Sequence, residues 1–89
     1  MHIENVEIFS DQTNAPVIRH PGRHFTGVLI QGDTLSNMCS LADQVCKEVG
    51  TGHPASEEMN ELREALRSYL NHYKATLTKH GIPLPFSDR

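Results

Sequence analysis

The spacing of apolar residues changes period once along this chain, at Gln31-Gly32-Asp33, and that change limits what the chain can fold into. Before it, short β-branched and aromatic runs alternate with turn residues. Residues 3–9 form the first run, with Val6 and Ile8 on one side and Glu7 on the other. Asp11-Gln12-Thr13-Asn14 is a turn cluster. Val17-Ile18-Arg19 is a short second run, and Pro16 suits a strand start or an edge. His20-Pro21-Gly22-Arg23 is a second turn. Residues 27–31 form the third run, and its continuous Val28-Leu29-Ile30 reads as a central strand covered on both faces.

After the change, apolar residues recur at three- and four-residue steps. Leu35, Met38, Cys39, Ala42, Val45, Cys46 and Val49 make one helical stripe. Asp33 is placed to cap that helix, and Gly50 and Gly52 to end it. Met59, Leu62, Leu66, Tyr69 and Tyr73 make a second stripe. Its helix is acidic at its start (Glu57, Glu58, Glu61) and basic at its end (Lys74, Lys79), as the helix dipole favours. Gly81 reads as a left-handed cap, Ile82 as its contact with Leu77, and Pro83 as the stop. The apolar tail Leu84-Pro85-Phe86 is expected to dock. The fold class is therefore α+β: a three-stranded antiparallel sheet followed by two helices, β-β-β-α-α. One domain is expected over residues 1–89, with strands over about 3–31, helices over about 33–49 and 55–80, and a tail over 81–89.

Function classes narrow from here. The net charge is -3 with neutral histidines, so the positive excess of a duplex-binding domain is missing and nucleic acid is an improbable partner. No apolar run approaches the roughly 18 residues of a membrane span, and the N-terminus lacks a signal peptide's pattern, so a cytoplasmic protein is expected. Cys39 and Cys46 are seven residues apart on one helix, roughly 10 Å along its axis, too far for a disulfide, which needs Cα atoms within about 7 Å. They read as small buried residues. The six histidines show no recognised zinc spacing: His20 and His24 flank a turn, and His72 and His80 are eight apart. No Ser/His/Asp or Cys/His arrangement is evident, and Gln31-Gly32-Asp33 is not a phosphate-binding loop. No catalytic residue, metal or cofactor is expected.

Arg19, His20, Arg23 and His24 form the one local basic cluster. Arginines and turn N–H groups can hold a carboxylate or phosphate, or meet an acidic patch on a protein. The plainer reading is a solvated turn whose arginines bind the chain's own acidic residues.

Gly27-Val28-Leu29-Ile30-Gln31-Gly32-Asp33-Thr34-Leu35 resembles the strand-to-helix junction of the HicB family of bacterial antitoxins, over roughly residues 17–49. The resemblance implies a sheet and helix that neutralise a small toxin, with glycine serving the turn and aspartate the cap. HicB-like domains usually return with a fourth strand and often add a DNA-binding segment; a long amphipathic helix and a Pro-rich tail take that place here. The whole-length pattern also resembles a family of small bacterial proteins without assigned function. The expected function is a non-enzymatic protein-interaction module, antitoxin- or immunity-like, with a toxin-like protein partner. The alternative is a small anion- or nucleotide-binding domain using the Arg19–His24 turn. A homodimer through the sheet is also expected, with Leu84 and Phe86 at its border.

Overall fold

The structure is a computed structural model that describes residues 1–88. The tail's last residue, Arg89, lies outside the described residues. Five elements follow one another: β1 (Glu7–Ser10), β2 (Val17–Arg19), β3 (Gly27–Val28), α1 (Gly32–Val49) and α2 (Ser56–Lys79). The α+β class and the β-β-β-α-α order are as the sequence implies. The chain divides into two compact units, one of residues 1–31 and one from Gly32 onward.

The first unit is an antiparallel meander in the order β1-β2-β3. Glu7 pairs with Arg19 and Ile8 with Ile18, and the register then slips so that Ser10 faces Val17. The slip is a bulge at Phe9, the residue left without an opposite number. Val17 pairs with Val28 and Ile18 with Gly27. The Leu29 N–H donates to the Pro16 carbonyl at 2.9 Å, which carries the pairing one residue further. The connection after β2 is a type II turn. Pro21 holds the first corner, Gly22 has φ 80 at the second, and the Arg23 N–H donates to the His20 carbonyl at 3.0 Å.

β2 covers Val17–Arg19 as expected, whereas β1 starts later and β3 is shorter than its apolar run, and the placement of the third strand is corrected. Val28-Leu29-Ile30 is not a covered central strand: β3 lies at an edge, and Val28 and Leu29 are more than half exposed. The physical reason is connectivity. Short turns join each strand to the next, so the second strand takes the middle whatever the third contains. The first strand likewise begins at Glu7 rather than at Ile3, whose side chain is exposed.

The second unit is a hairpin of two helices. α1 begins one residue earlier than expected, so Asp33 lies within its first turn instead of capping it from outside. Its carboxylate accepts from the Thr34 N–H at 2.8 Å, which still satisfies a first-turn donor. Gly50, at φ 72, ends the helix as expected and donates to the Cys46 carbonyl at 3.1 Å. α2 ends in a full Schellman motif. The Ile82 N–H donates to the Leu77 carbonyl at 2.9 Å, the Gly81 N–H to the Thr78 carbonyl at 3.2 Å, and Gly81 has φ 68.

Leu35, Cys39 and Leu70 form the buried core of the hairpin, with Leu66, Tyr73 and Phe86 packed against it. The tail therefore docks on its own helices. Phe86 stacks on Tyr73 with ring centroids 6.4 Å apart, and Lys74 Nζ reaches Asp88 at 2.9 Å. An Arg67–Asp43 ion pair joins the two helices. Both cysteines are free, Cys39 buried and Cys46 half-buried.

Gly32 has a different role from the one its motif suggests. It is buried, its φ is not positive, and a Cβ there would overlap the ring of Tyr73. Glycine is needed at this junction for space, not for a turn.

Candidate functional site

The His20–Phe25 segment joins β2 to β3, and it carries most of the basic cluster. Arg19 is the exception. The β1–β2 register sets it opposite Glu7, and its guanidinium reaches that carboxylate at 2.6 Å. The same group lies over the Phe9 ring, 5.7 Å from its centroid. Arg19 is thus engaged within the sheet. The remaining members line one open groove of about 520 Å³, together with Ile18, Phe25 and Val28. His20 Nδ1 sits 2.7 Å from the Pro21 carbonyl oxygen, so donating to it fixes the ring at the rim. His24 meets Phe25 edge-on, with centroids 4.9 Å apart.

Phe25 is the residue that the sequence reading missed. It is 81% exposed, beside Arg23 and His24. Its signal is weak in one dimension: a single aromatic following a turn looks like the inward residue of a strand.

The helix hairpin offers two further faces. Asp33, Ser36, Asn37, Ser40, Asp43 and Arg67 line a polar groove that Phe86 and the tail border. A second groove of about 300 Å³ is almost wholly apolar, with Met38, Leu41 and Val45 on α1 and Met59, Leu62 and Leu66 on α2. Leu62 and Leu41 are more than half exposed, as is Tyr69 further along α2. The α1 stripe is wider than α2 alone can cover.

A family model, described as a family of unknown function (DUF6959), matches residues 1–86. The chain belongs to the DUF6959 family. No curated protein matches it, and no solved structure does. The match takes in the turn, both helices and the tail as far as Phe86, so these features all belong to the DUF6959 unit.

Among the described residues of this DUF6959 chain, no group of three or more His, Cys, Asp or Glu is placed to hold a metal ion. None of its helices is long and apolar enough to cross a membrane. Burial pushes the Cys39 thiol up from its ordinary value; Arg67 and Lys74 pull the other way without cancelling it, and Asp43 adds to the rise. A thiol kept neutral is a poor nucleophile, so Cys39 serves packing. Leu84, the other tail residue expected at an interface, is half-buried.

Proposed function

We propose that this DUF6959 protein is a non-enzymatic protein-interaction module that docks a protein partner on its His20–Phe25 turn, in an antitoxin- or immunity-like role in a bacterial cytoplasm. One observation carries the reading: Phe25 is 81% exposed, two residues after a turn closed by the Arg23 N–H to His20 carbonyl hydrogen bond. Aromatic and arginine side chains dominate the energetics of protein interfaces. A turn held by its own hydrogen bond and a glycine at positive φ loses little freedom on binding. β3, at the sheet's edge beside the turn, adds backbone groups that an incoming strand can pair with. The resemblance of residues 27–35 to the HicB junction supports a toxin-like partner.

The groove also supports a second reading, capture of a small anion by Arg23, His20 and His24. The engagement of Arg19 with Glu7 weakens it, because one permanent cation then remains at the groove. The test begins with affinity capture from the source bacterium and continues with the captured protein purified. Phe25→Ala and Arg23→Ala are expected to weaken the two-component complex by about tenfold or more each, equivalent to about 1.4 kcal/mol. Their melting temperatures should stay near wild type. Undiminished binding by both variants would refute the turn as the docking site. NMR shifts at residues 20–25 with millimolar phosphate or mononucleotide, and no protein captured, would favour the anion reading.

A further inference from the structure

Resting on the docking of a protein at the His20–Phe25 segment, we propose that the partner's contacting part is an extended acidic segment, which adds to the sheet as a strand beside β3 and sets a carboxylate on Arg23. The ladder itself leaves that edge open. Val17 pairs with Val28 and Ile18 with Gly27, and the Leu29 N–H donates to the carbonyl of Pro16, the next residue in the same register. Hydrogen-bonded and non-hydrogen-bonded pairs alternate along an antiparallel ladder. Leu29 and Gly27 therefore turn their backbone groups toward β2, and Val28 turns its N–H and C=O away from it. β3 is the last strand of the sheet, and Val28 is 59% exposed. A donor and an acceptor on one extended residue are met together by an added strand.

The sheet's two edges differ. β1 carries the bulge at Phe9 and the charge of Glu7, features that discourage regular strand addition. Phe25-Thr26-Gly27-Val28-Leu29-Ile30-Gln31 has neither charge nor proline, and its pairing with β2 runs without a slip. β3 is short, so an added strand gains few backbone bonds and side chains must supply the rest. Val28 and Arg23 line one groove. Arg19 is held by Glu7, whereas Arg23 makes no ion pair among the described residues. A carboxylate on the added strand therefore meets a guanidinium able to form a charge-assisted hydrogen bond. A second copy fits this edge less well. Its own Phe25–Gln31 run has no carboxylate to offer. Its β1 has Glu7, but that strand is bulged and the carboxylate already binds Arg19. The occupant is thus a different protein, one that presents an acidic residue on an extended run.

The test uses the protein captured on the wild-type chain, purified. Val28→Pro deletes an N–H that faces away from β2, a position where an edge strand tolerates proline. Val28→Ala keeps that N–H and removes most of the same side chain. The proline variant should bind about tenfold more weakly than the alanine variant, with the other amide shifts of the sheet in place. The Val28 amide should exchange freely with solvent in the chain alone and slowly in the complex. Arg23→Lys should keep most of the affinity, and Arg23→Glu should lose most of it. If Phe25→Ala weakens binding while the two Val28 variants bind alike and the amide stays unprotected, the docking site stands and strand addition is refuted. Equal binding by Arg23→Lys and Arg23→Glu would refute the carboxylate. Protection of the Val28 amide in the chain alone, rising with its concentration, would give the edge to a second copy and overturn the proposal. Undiminished binding by Phe25→Ala, Arg23→Ala and Val28→Pro together would overturn the docking site as well.

Discussion

Gly32→Ala is a one-carbon change whose effect follows from the structure. The added Cβ overlaps the hydroxyl end of the Tyr73 ring, so the ring must move or α1 must shift along the hairpin. Tyr73 is half-buried, packs on the Leu35–Cys39–Leu70 core and stacks on Phe86, so neither motion is free. Overpacking of this size costs about 1–3 kcal/mol. The exchange of glycine for alanine in a helix returns up to about 1 kcal/mol. A net loss of about 1–2 kcal/mol is expected. For a domain of this size each kcal/mol is worth roughly 4–8 °C in melting temperature. The control is the same substitution in a Tyr73→Ala background. With the ring removed, only the propensity gain remains, and Gly32→Ala should be neutral or stabilising by about 0.5–1 kcal/mol. The cycle should show a coupling of about 1–3 kcal/mol between two positions 41 residues apart. Thermal melts followed by circular dichroism measure all four proteins. Equal costs in both backgrounds, or a Gly32→Ala protein as stable as wild type, would refute the steric account of the motif's glycine.

Other substitutions probe the remaining structure. Leu70→Ala, at a 3% exposed core position, should cost about 2–5 kcal/mol, whereas Glu64→Ala should change stability by less than about 0.5 kcal/mol. Arg19→Ala should cost at most about 1 kcal/mol, since its partner Glu7 is exposed, and should leave partner capture by the turn intact. Cys46 should alkylate well before Cys39 in the native protein, because burial both shields Cys39 and lowers its thiolate fraction; equal rates would contradict its placement. The Cys39 proton is held more tightly in the folded chain than in the unfolded one. Its contribution to stability is therefore constant below the ordinary thiol value of 9.0 and declines as pH rises above it, a decline that Cys39→Ala should lessen.

Local features were legible in the sequence because local residues decide them. The period change at Gln31-Gly32-Asp33, the glycine stop at Gly50 and the Gly81–Ile82 cap each rest on chemistry within a few positions. Features set by distant residues were not legible. Val28-Leu29-Ile30 reads the same whether its strand is central or at an edge, and only the connectivity puts it at the edge. Gly32 looks like a turn glycine until Tyr73 is found above it. Arg19 and Arg23 are neighbours in a basic cluster, yet the strand register gives the first to Glu7 and leaves the second at the groove. The exposure of Phe25 has no pattern along the chain to announce it. The hairpin stripes were legible as helices, but their excess width over the helix–helix contact was not, because stripe width alone does not say how many neighbours a helix has.

Docking of a protein on the His20–Phe25 segment is tested most directly by isotope-filtered nuclear Overhauser spectroscopy of the labelled chain with its captured, unlabelled partner. Ring protons of Phe25 and the side chain of Arg23, which line the groove beside the sheet's edge, should show cross-peaks to the partner. A saturated complex whose intermolecular cross-peaks all fall outside residues 18–28 would contradict the proposed docking site.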